Sequence, residues 1–382
     1  MATPQSLICD NGSGSLKLGY GGDNFPRHNV PCIVGRLHER HAELAATMKE
    51  EYISDEALEN RSILTMTRPI EEGIVKNWED MEKVWSHAFN NIMHVDLPNT
   101  RILLTEAPLN PTKNREKLAE VMFEKFNFGA LQVEAQATLA LYAVGKMTGI
   151  VLDSGDGVTH CIPVSEGMIN SHSIRRLNLA GRHLTEYMIK LLLLRGYGFN
   201  MSSDFETVRE IKEKTCYVAQ KIELERKLAQ ETTVLETDYQ LPDGSWIKVG
   251  RERFEAAEAL FAPYLLGREE DGLSEMLFNS IMSTDMDTRK KLFSSIVLSG
   301  GSTMYPGTSS RIKYDLKKSH TAMRGAHGKS AHLRIEIFDP PYRKNLVFIG
   351  ASTVGKIYES MHERWIYKDA YEEEGNRILH GR

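Results

Sequence analysis

The sequence predicts an α/β protein with mixed sheets, built from two related halves. Two observations carry this. A strand, a tight glycine turn and a second strand occur twice: Leu7-Ile8-Cys9 leads through Asp10-Asn11-Gly12-Ser13-Gly14 into Leu16-Lys17-Leu18-Gly19-Tyr20, and Gly149-Ile150-Val151-Leu152 leads through Asp153-Ser154-Gly155-Asp156-Gly157 into Val158-Thr159-His160-Cys161-Ile162. The two aspartates stand 143 residues apart. Between and after these hairpins lie helices with readable ends, and strand hairpins alternating with helices indicate α/β layers. The chain has 382 residues, long for one core and suited to two domains of ordinary size.

Each helix is justified by its punctuation. Asn110-Pro111 reads as an N-cap followed by proline at the first helical position, with Leu118, Val121 and Met122 as the apolar stripe. Gly181 to Arg195 reads as a helix stopped by Gly196. Ser203-x-x-Glu206 is a capping box opening a long helix with Val208, Ile211, Val218 and Ile222 along one side. Three stretches read as surface insertions: the polar Leu37–Tyr52, the charged Leu266–Asp271 and the Lys, His and Gly-rich Lys317–His332, which reads as a mobile loop.

Composition narrows the function classes. Hydrophobic residues make up 41% and charged residues 26%, with a net charge of −5, so no overall positive field recruits nucleic acid or anionic lipid. Cys9, Cys32, Cys161 and Cys216 are scattered with no CxxC pair, which argues against a zinc site or a disulfide framework and suits a reducing compartment. Residues 1–10 hold no basic segment followed by an apolar run, so no signal peptide is expected. The densest apolar run, Met188–Leu194, is interrupted by Lys190 and too short to span a bilayer.

The glycines of the two turns have a physical use. A turn that offers several backbone N–H groups to a phosphate needs positive φ and no Cβ in the way. Asp10 and Asp153 end the incoming strands, where two carboxylates can hold a hydrated Mg²⁺. Lys17 can supply a point charge to a phosphate. One such turn alone reads more readily as an ordinary surface hairpin, whereas two copies, each with Asp at the end of an apolar strand, reverse that and favour the phosphate reading. A third cluster, Ser299-Gly300-Gly301-Ser302-Thr303-Met304-Tyr305-Pro306-Gly307, follows the strand Ile296-Val297-Leu298. It reads either as an approach for adenosine, with Met304 and Tyr305 as apolar surface, or as a strand-to-helix turn with core residues. On pattern alone Lys212 and Glu213 read as a solvated helix face. Gln136 and His160 are candidates for positioning an attacking water. Neither has a carboxylate nearby in sequence, so slow hydrolysis is the most they imply.

Together these residues resemble the actin family over essentially the whole chain. Asp10–Lys17 is similar to its first phosphate loop, Asp153–His160 to its second, Val133–Tyr142 and Lys344–Gly350 to its two connecting segments, and Ser299–Gly307 to its adenosine motif. The resemblance implies the actin/hexokinase-type ATPase fold: two lobes of four subdomains around a nucleotide cleft. The small lobe would comprise 1–143 and 345–382, with a subdomain at about 33–69, and the large lobe 144–344, with a subdomain at about 181–270. Gly12, Ser13, Gly14, Ser15, Lys17, Gly155, Asp156 and Gly157 would contact the phosphates of ATP. Asp10, Gln136 and Asp153 would surround Mg²⁺ through water, with Ca²⁺ able to take its place. Gly181, Arg209, Lys212, Glu213, Gly300, Gly301, Ser302, Met304, Tyr305 and Lys344 would line the nucleoside pocket, and Gln136 and His160 would position the hydrolytic water.

Within the family, Asn110–Lys117, Ile189–Tyr197, Ser203–Arg209 and Glu231–Ala256 are similar to the actin-related subunits that nucleate branched filaments. That implies a cytoplasmic, cytoskeletal protein whose partners are a sister actin-related protein, accessory subunits, actin filaments and nucleation-promoting factors, with no nucleic acid and no membrane insertion. Departures from conventional actin are the charged 37–52 and 266–271 segments and the 317–332 stretch. They argue against unaided polymerisation, though a self-polymerising divergent actin or dynactin-type filament protein is the alternative. A sugar kinase or heat-shock ATPase of the same fold is the third reading, and no sugar-kinase carboxylate is evident.

Overall fold

The computed structural model describes residues 5–38, 48–201, 203–324 and 334–379. Its contacts divide the chain into two compact units, 1–147 with 345–382, and 148–344.

The first unit is organised by a sheet of six strands among the described residues, in the order Ile366–Tyr367, Ala130–Ala135, Arg101–Glu106, Leu7–Asn11, Ser15–Tyr20, His28–Pro31. Leu7, Ile8 and Cys9 are fully buried, as a central strand covered on both faces requires. The second unit repeats this plan. Gly149–Ser154 and Thr159–Ser165 form its antiparallel hairpin, and Ile296–Ser299 and Ile337–Phe338 add parallel strands on the incoming side. In the first unit Arg101–Glu106 and Ala130–Ala135 add in parallel on the same side. The registers coincide too: Asp10 lies opposite Lys17, and Asp153 opposite His160. The twin hairpins are therefore twin sheets.

Each unit has its own core. Trp85, Phe89, Phe123 and Phe128 anchor the first beneath the sheet, and Leu184, Met188, Val208, Ile211, Leu277 and Leu298 belong to that of the second. In the first unit the helix Leu346–Tyr358 crosses the helix Gln136–Ala143 so closely that a Cβ on Gly350 would lie 1.9 Å from the Leu139 carbonyl oxygen.

Several sequence expectations shift. The helix after Asn110 is Thr112–Glu120 with Pro111 at its N-cap, and the Asn110 amide donates instead to Glu106 at 3.3 Å. The helix Gly181–Leu194 ends as expected, with Gly196 at φ 102°. The long helix expected from Ser203 breaks in two, Asp204–Thr215 and Ile222–Glu231. The backbone between them pairs elsewhere, Tyr217 N–H with Arg253 O and Val218 N–H with Pro306 O, so the helical ladder cannot continue. Ser203 makes no side-chain cap bond. Lys317–Arg324, expected in a mobile loop, closes the helix Thr308–Arg324, and the rest of that expectation, 325–332, lies outside the described residues. The Leu37–Tyr52 insertion has strands at its ends, Val34–Leu37 and Glu51–Ile53, paired antiparallel, while 39–47 lie outside the described residues.

Candidate functional site

In the first unit the strand Leu7–Asn11 delivers Asp10, which is 2% exposed. Its Oδ2 accepts from Lys17 Nζ at 2.8 Å, and its Oδ1 from the Thr105 hydroxyl at 2.6 Å. Gln136 reaches the same group because the strand Ala130–Ala135 runs directly into the helix it opens. Its Nε2 lies 3.4 Å from Asp10 Oδ1, 3.2 Å from Asn11 O and 3.3 Å from Thr105 Oγ1. Lys17 thus meets the aspartate's buried charge, and both stand at the mouth of the glycine turn. A Cβ on Gly12 would sit 2.6 Å from Ser15 O, so the turn needs glycine there for space; the positive φ expected of the turn glycines is not adopted at Gly12, Gly14, Gly155 or Gly157. The Ser13 hydroxyl accepts from Gly73 N–H at 3.2 Å, leaving its own proton to donate.

In the second unit Asp153 is half-buried, opposite His160 and beside Ser299. His160 is 2% exposed, and its Nε2 has no hydrogen-bond partner among the described residues; the same holds for Ser299 Oγ. Burial, with the Arg176 charge second, pushes the His160 pKa down to about 3, so the ring is neutral at ordinary pH. Two orphaned buried polar atoms flanking a strand-end carboxylate suit a polar ligand and its water.

The turn beyond is held from three sides. Gly155 O accepts from Gly181 N–H at 3.1 Å and from the Ser302 hydroxyl at 2.6 Å, and Asp156 O accepts from Arg182 N–H at 2.9 Å. Arg182 also pairs with the Asp156 carboxylate at 3.0 Å. A Cβ on Gly181 would press to 2.8 Å from Ser302 Oγ. Gly300, at φ 88°, passes so close to Ser154 O that a Cβ would lie 2.2 Å from it, while Gly301 faces open space. Met304 is 36% exposed, and Tyr305 is 6% exposed and packs in the core of this unit.

Lys212 corrects the solvated-face reading. It is 3% exposed, and its Nζ donates to Gly181 O at 2.6 Å and to Thr185 Oγ1 at 2.9 Å. Burial lowers its pKa, opposed chiefly by Asp156 and then Glu213. Glu213 is exposed, and Arg209 lies between Glu206 at 2.5 Å and Glu213 at 3.8 Å. Lys344 is exposed at the end of the unit.

Sequence reasoning missed Thr105, Arg182 and Arg343. Thr105 had a signal, since it ends an apolar strand as Asp10 does. Arg343 had none: its guanidinium donates to Thr303 O at 2.8 Å, and its carbonyl accepts from Gly300 N–H at 3.2 Å, fixing the third glycine cluster. Among the described residues no three His, Cys, Asp or Glu side chains group as direct metal ligands. A cation here would rest on a carboxylate, water and the ligand's own phosphates.

A family model described as Actin matches residues 1–382. The chain belongs to the actin family. Curated relatives agree over nearly full length. The chain is 49% identical over 383 residues to actin-related protein 2 of Drosophila melanogaster, covering 98% of this chain and 96% of that one. It is 49% identical over 376 residues to actin-related protein 2 of Saccharomyces cerevisiae, covering 97% and 96%. It is 47% identical over 377 residues to actin-related protein 2 of Arabidopsis thaliana, covering 98% and 97%. The mixed α/β architecture of twin sheets fits the actin-type ATPase fold. Nucleotide binding is the general expectation of this cytoskeletal family. Among the described residues no helix is long and apolar enough to cross a membrane.

Proposed function

We propose that the chain is an ATP-binding subunit of the complex that nucleates branched actin filaments, pairing with a sister subunit, actin-related protein 3, to mimic a filament end. The observation that carries this reading is the near-half identity, over almost full length, to proteins named actin-related protein 2 from animal, fungus and plant. Its nucleotide is ATP with Mg²⁺. The backbone of 12–15 and 155–157 with Lys17 serves the phosphates, and Asp10, Gln136 and Asp153 serve the hydrated cation. Gly181, Arg209, Lys212, Glu213, the Gly300–Met304 turn and Lys344 serve the nucleoside. The two compact units are its small and large lobes. Hydrolysis is slow, since Gln136 and His160 position water without a strong base. The chain works in the cytoplasm with accessory subunits and nucleation-promoting factors.

Reconstitution tests the proposal. The chain replaces actin-related protein 2 in a complex otherwise assembled from purified subunits, and branches are counted by fluorescence microscopy on preformed actin filaments. Branching that requires this chain and ATP is expected. Failure to enter the complex, or filaments formed by the chain alone, overturns it.

A further inference from the structure

The helix Gly181–Leu194 begins without the usual acceptor. Its N-cap residue is Ala180, which has no polar side chain, although helix N-termini need acceptors for four orphan N–H groups. Two of those N–H groups, on Gly181 and Arg182, go to the carbonyls of Gly155 and Asp156 and so hold the second glycine turn. The remaining stitch is His183, three residues into the helix, whose Nδ1 accepts from Ala180 N–H at 3.2 Å. A side chain at this position reaching back to the N-cap amide is ordinarily Glu or Gln, which accepts at any pH above its carboxylate range or at all pH. An imidazole Nδ1 accepts only while it carries no proton.

We infer that His183 is a positioning residue for the second glycine turn, a proton-sensitive cap on the helix that holds it. Protonation turns the acceptor into a donor aimed at another donor, and adds positive charge at the helix's positive end. Ala180 then loses its tie, and the first turn of the helix loosens its grip on Gly155 and Asp156. The groups facing the ring come from three places. Arg182 and Glu186 share its helix, Asp156 belongs to the glycine turn, and Arg268 approaches from the 267–271 turn, where it donates to Asn178 O. Burial and then Arg268 hold the pKa below the ordinary histidine value, Arg182 acts in the same sense, and Glu186 and Asp156 oppose them. The cap is therefore intact at neutral pH, and its contribution is lost as the pH falls below the ordinary value of about 6.5 through the lowered one.

The inference rests on the proposal that this turn holds ATP phosphates, and the test separates the two. Hydrogen exchange of the Gly181 and Arg182 amides, without nucleotide, and titration with a fluorescent ATP are each followed from about pH 7.5 to about pH 5. The native protein is compared with His183→Gln, which accepts at every pH, and His183→Ala, which accepts at none. The protection of these amides, measured against their intrinsic exchange at each pH, should fall on acidification about fivefold more in the native protein than in His183→Gln, with a parallel extra loss of ATP affinity; His183→Ala should be weakly protected at every pH. Equal acid responses in native and His183→Gln overturn the inference, as does native affinity that rises on acidification relative to His183→Gln. Absent ATP binding at every pH defeats the phosphate reading, while the exchange comparison still decides the role of His183.

Discussion

His160, through its burial, makes the protein sensitive to acid. It is 2% exposed, lies opposite Asp153 and is held near pKa 3 by burial and by Arg176. Because its folded value lies below the ordinary value of about 6.5, the unfolded chain binds the extra proton first. Stability is thus complete above about pH 6.5 and declines as the pH falls towards 3. At pH 4 the loss assignable to this ring is on the order of 3 kcal/mol. Urea unfolding of His160→Gln at pH 7 and pH 4 should show a stability drop smaller by about that amount than the native protein's; equal drops would remove His160 as the source. Legibility at this scale followed chain geometry. Asp10, Lys17 and Gln136 were readable because strand and helix ends mark them, and the structure brings all three within hydrogen-bonding range. Lys212 was not, because burial of its stem depends on partners, Gly181 and Thr185, that no local pattern announces.

Among the elements, helix crossings carry what punctuation cannot show. The helices Gln136–Ala143 and Leu346–Tyr358 meet at Gly350, where any Cβ would collide with the Leu139 carbonyl, a backbone atom that cannot rotate away. Gly350→Ala must push the helices apart, displacing the helix whose first residue is Gln136. It should destabilise the protein by about 1–3 kcal/mol, read as a lower thermal midpoint. Gly301→Ala, which meets nothing within 4 Å, should leave the midpoint nearly unchanged. Equal midpoints for the two variants would show that the crossing relaxes freely. The misread elements have the same origin. Val218 and Ile222 continue a helical spacing from Val208, yet the chain leaves the helix at Thr215 because Arg253 and Pro306 capture its backbone. Local periodicity cannot register a competitor for hydrogen bonds that lies 36 or more residues downstream.

At the scale of the whole molecule, the twin hairpins were legible from sequence because each repeats a strand, a glycine turn and an aspartate at the same place. How each hairpin recruits two parallel strands was not, since those pairings join distant segments. Surface charge needs the same revision. Glu51, which read as an exposed charge, is matched by Lys83 at 2.8 Å and Arg36 at 3.0 Å, and Arg268 is committed to Asn178 O. The acidic surface is concentrated in one turn: Glu269, Glu270 and Asp271 are exposed together, with Glu50 exposed elsewhere. Asp271 accepts from Asn279 at 2.8 Å, a neutral partner, and Glu270 lies 4.0 Å from Arg268. A contact between identical copies that buried this turn would desolvate three carboxylates, each at a cost of several kcal/mol unless a cation meets it. A different protein can present those cations, so assembly through this surface should be heterotypic. The purified chain in ATP, Mg²⁺ and salt should therefore remain monomeric at concentrations where actin polymerises. Sedimentation and negative-stain images decide it: a soluble, unstructured field is expected, and helical filaments from this chain alone would overturn the heterotypic reading in favour of a self-polymerising protein.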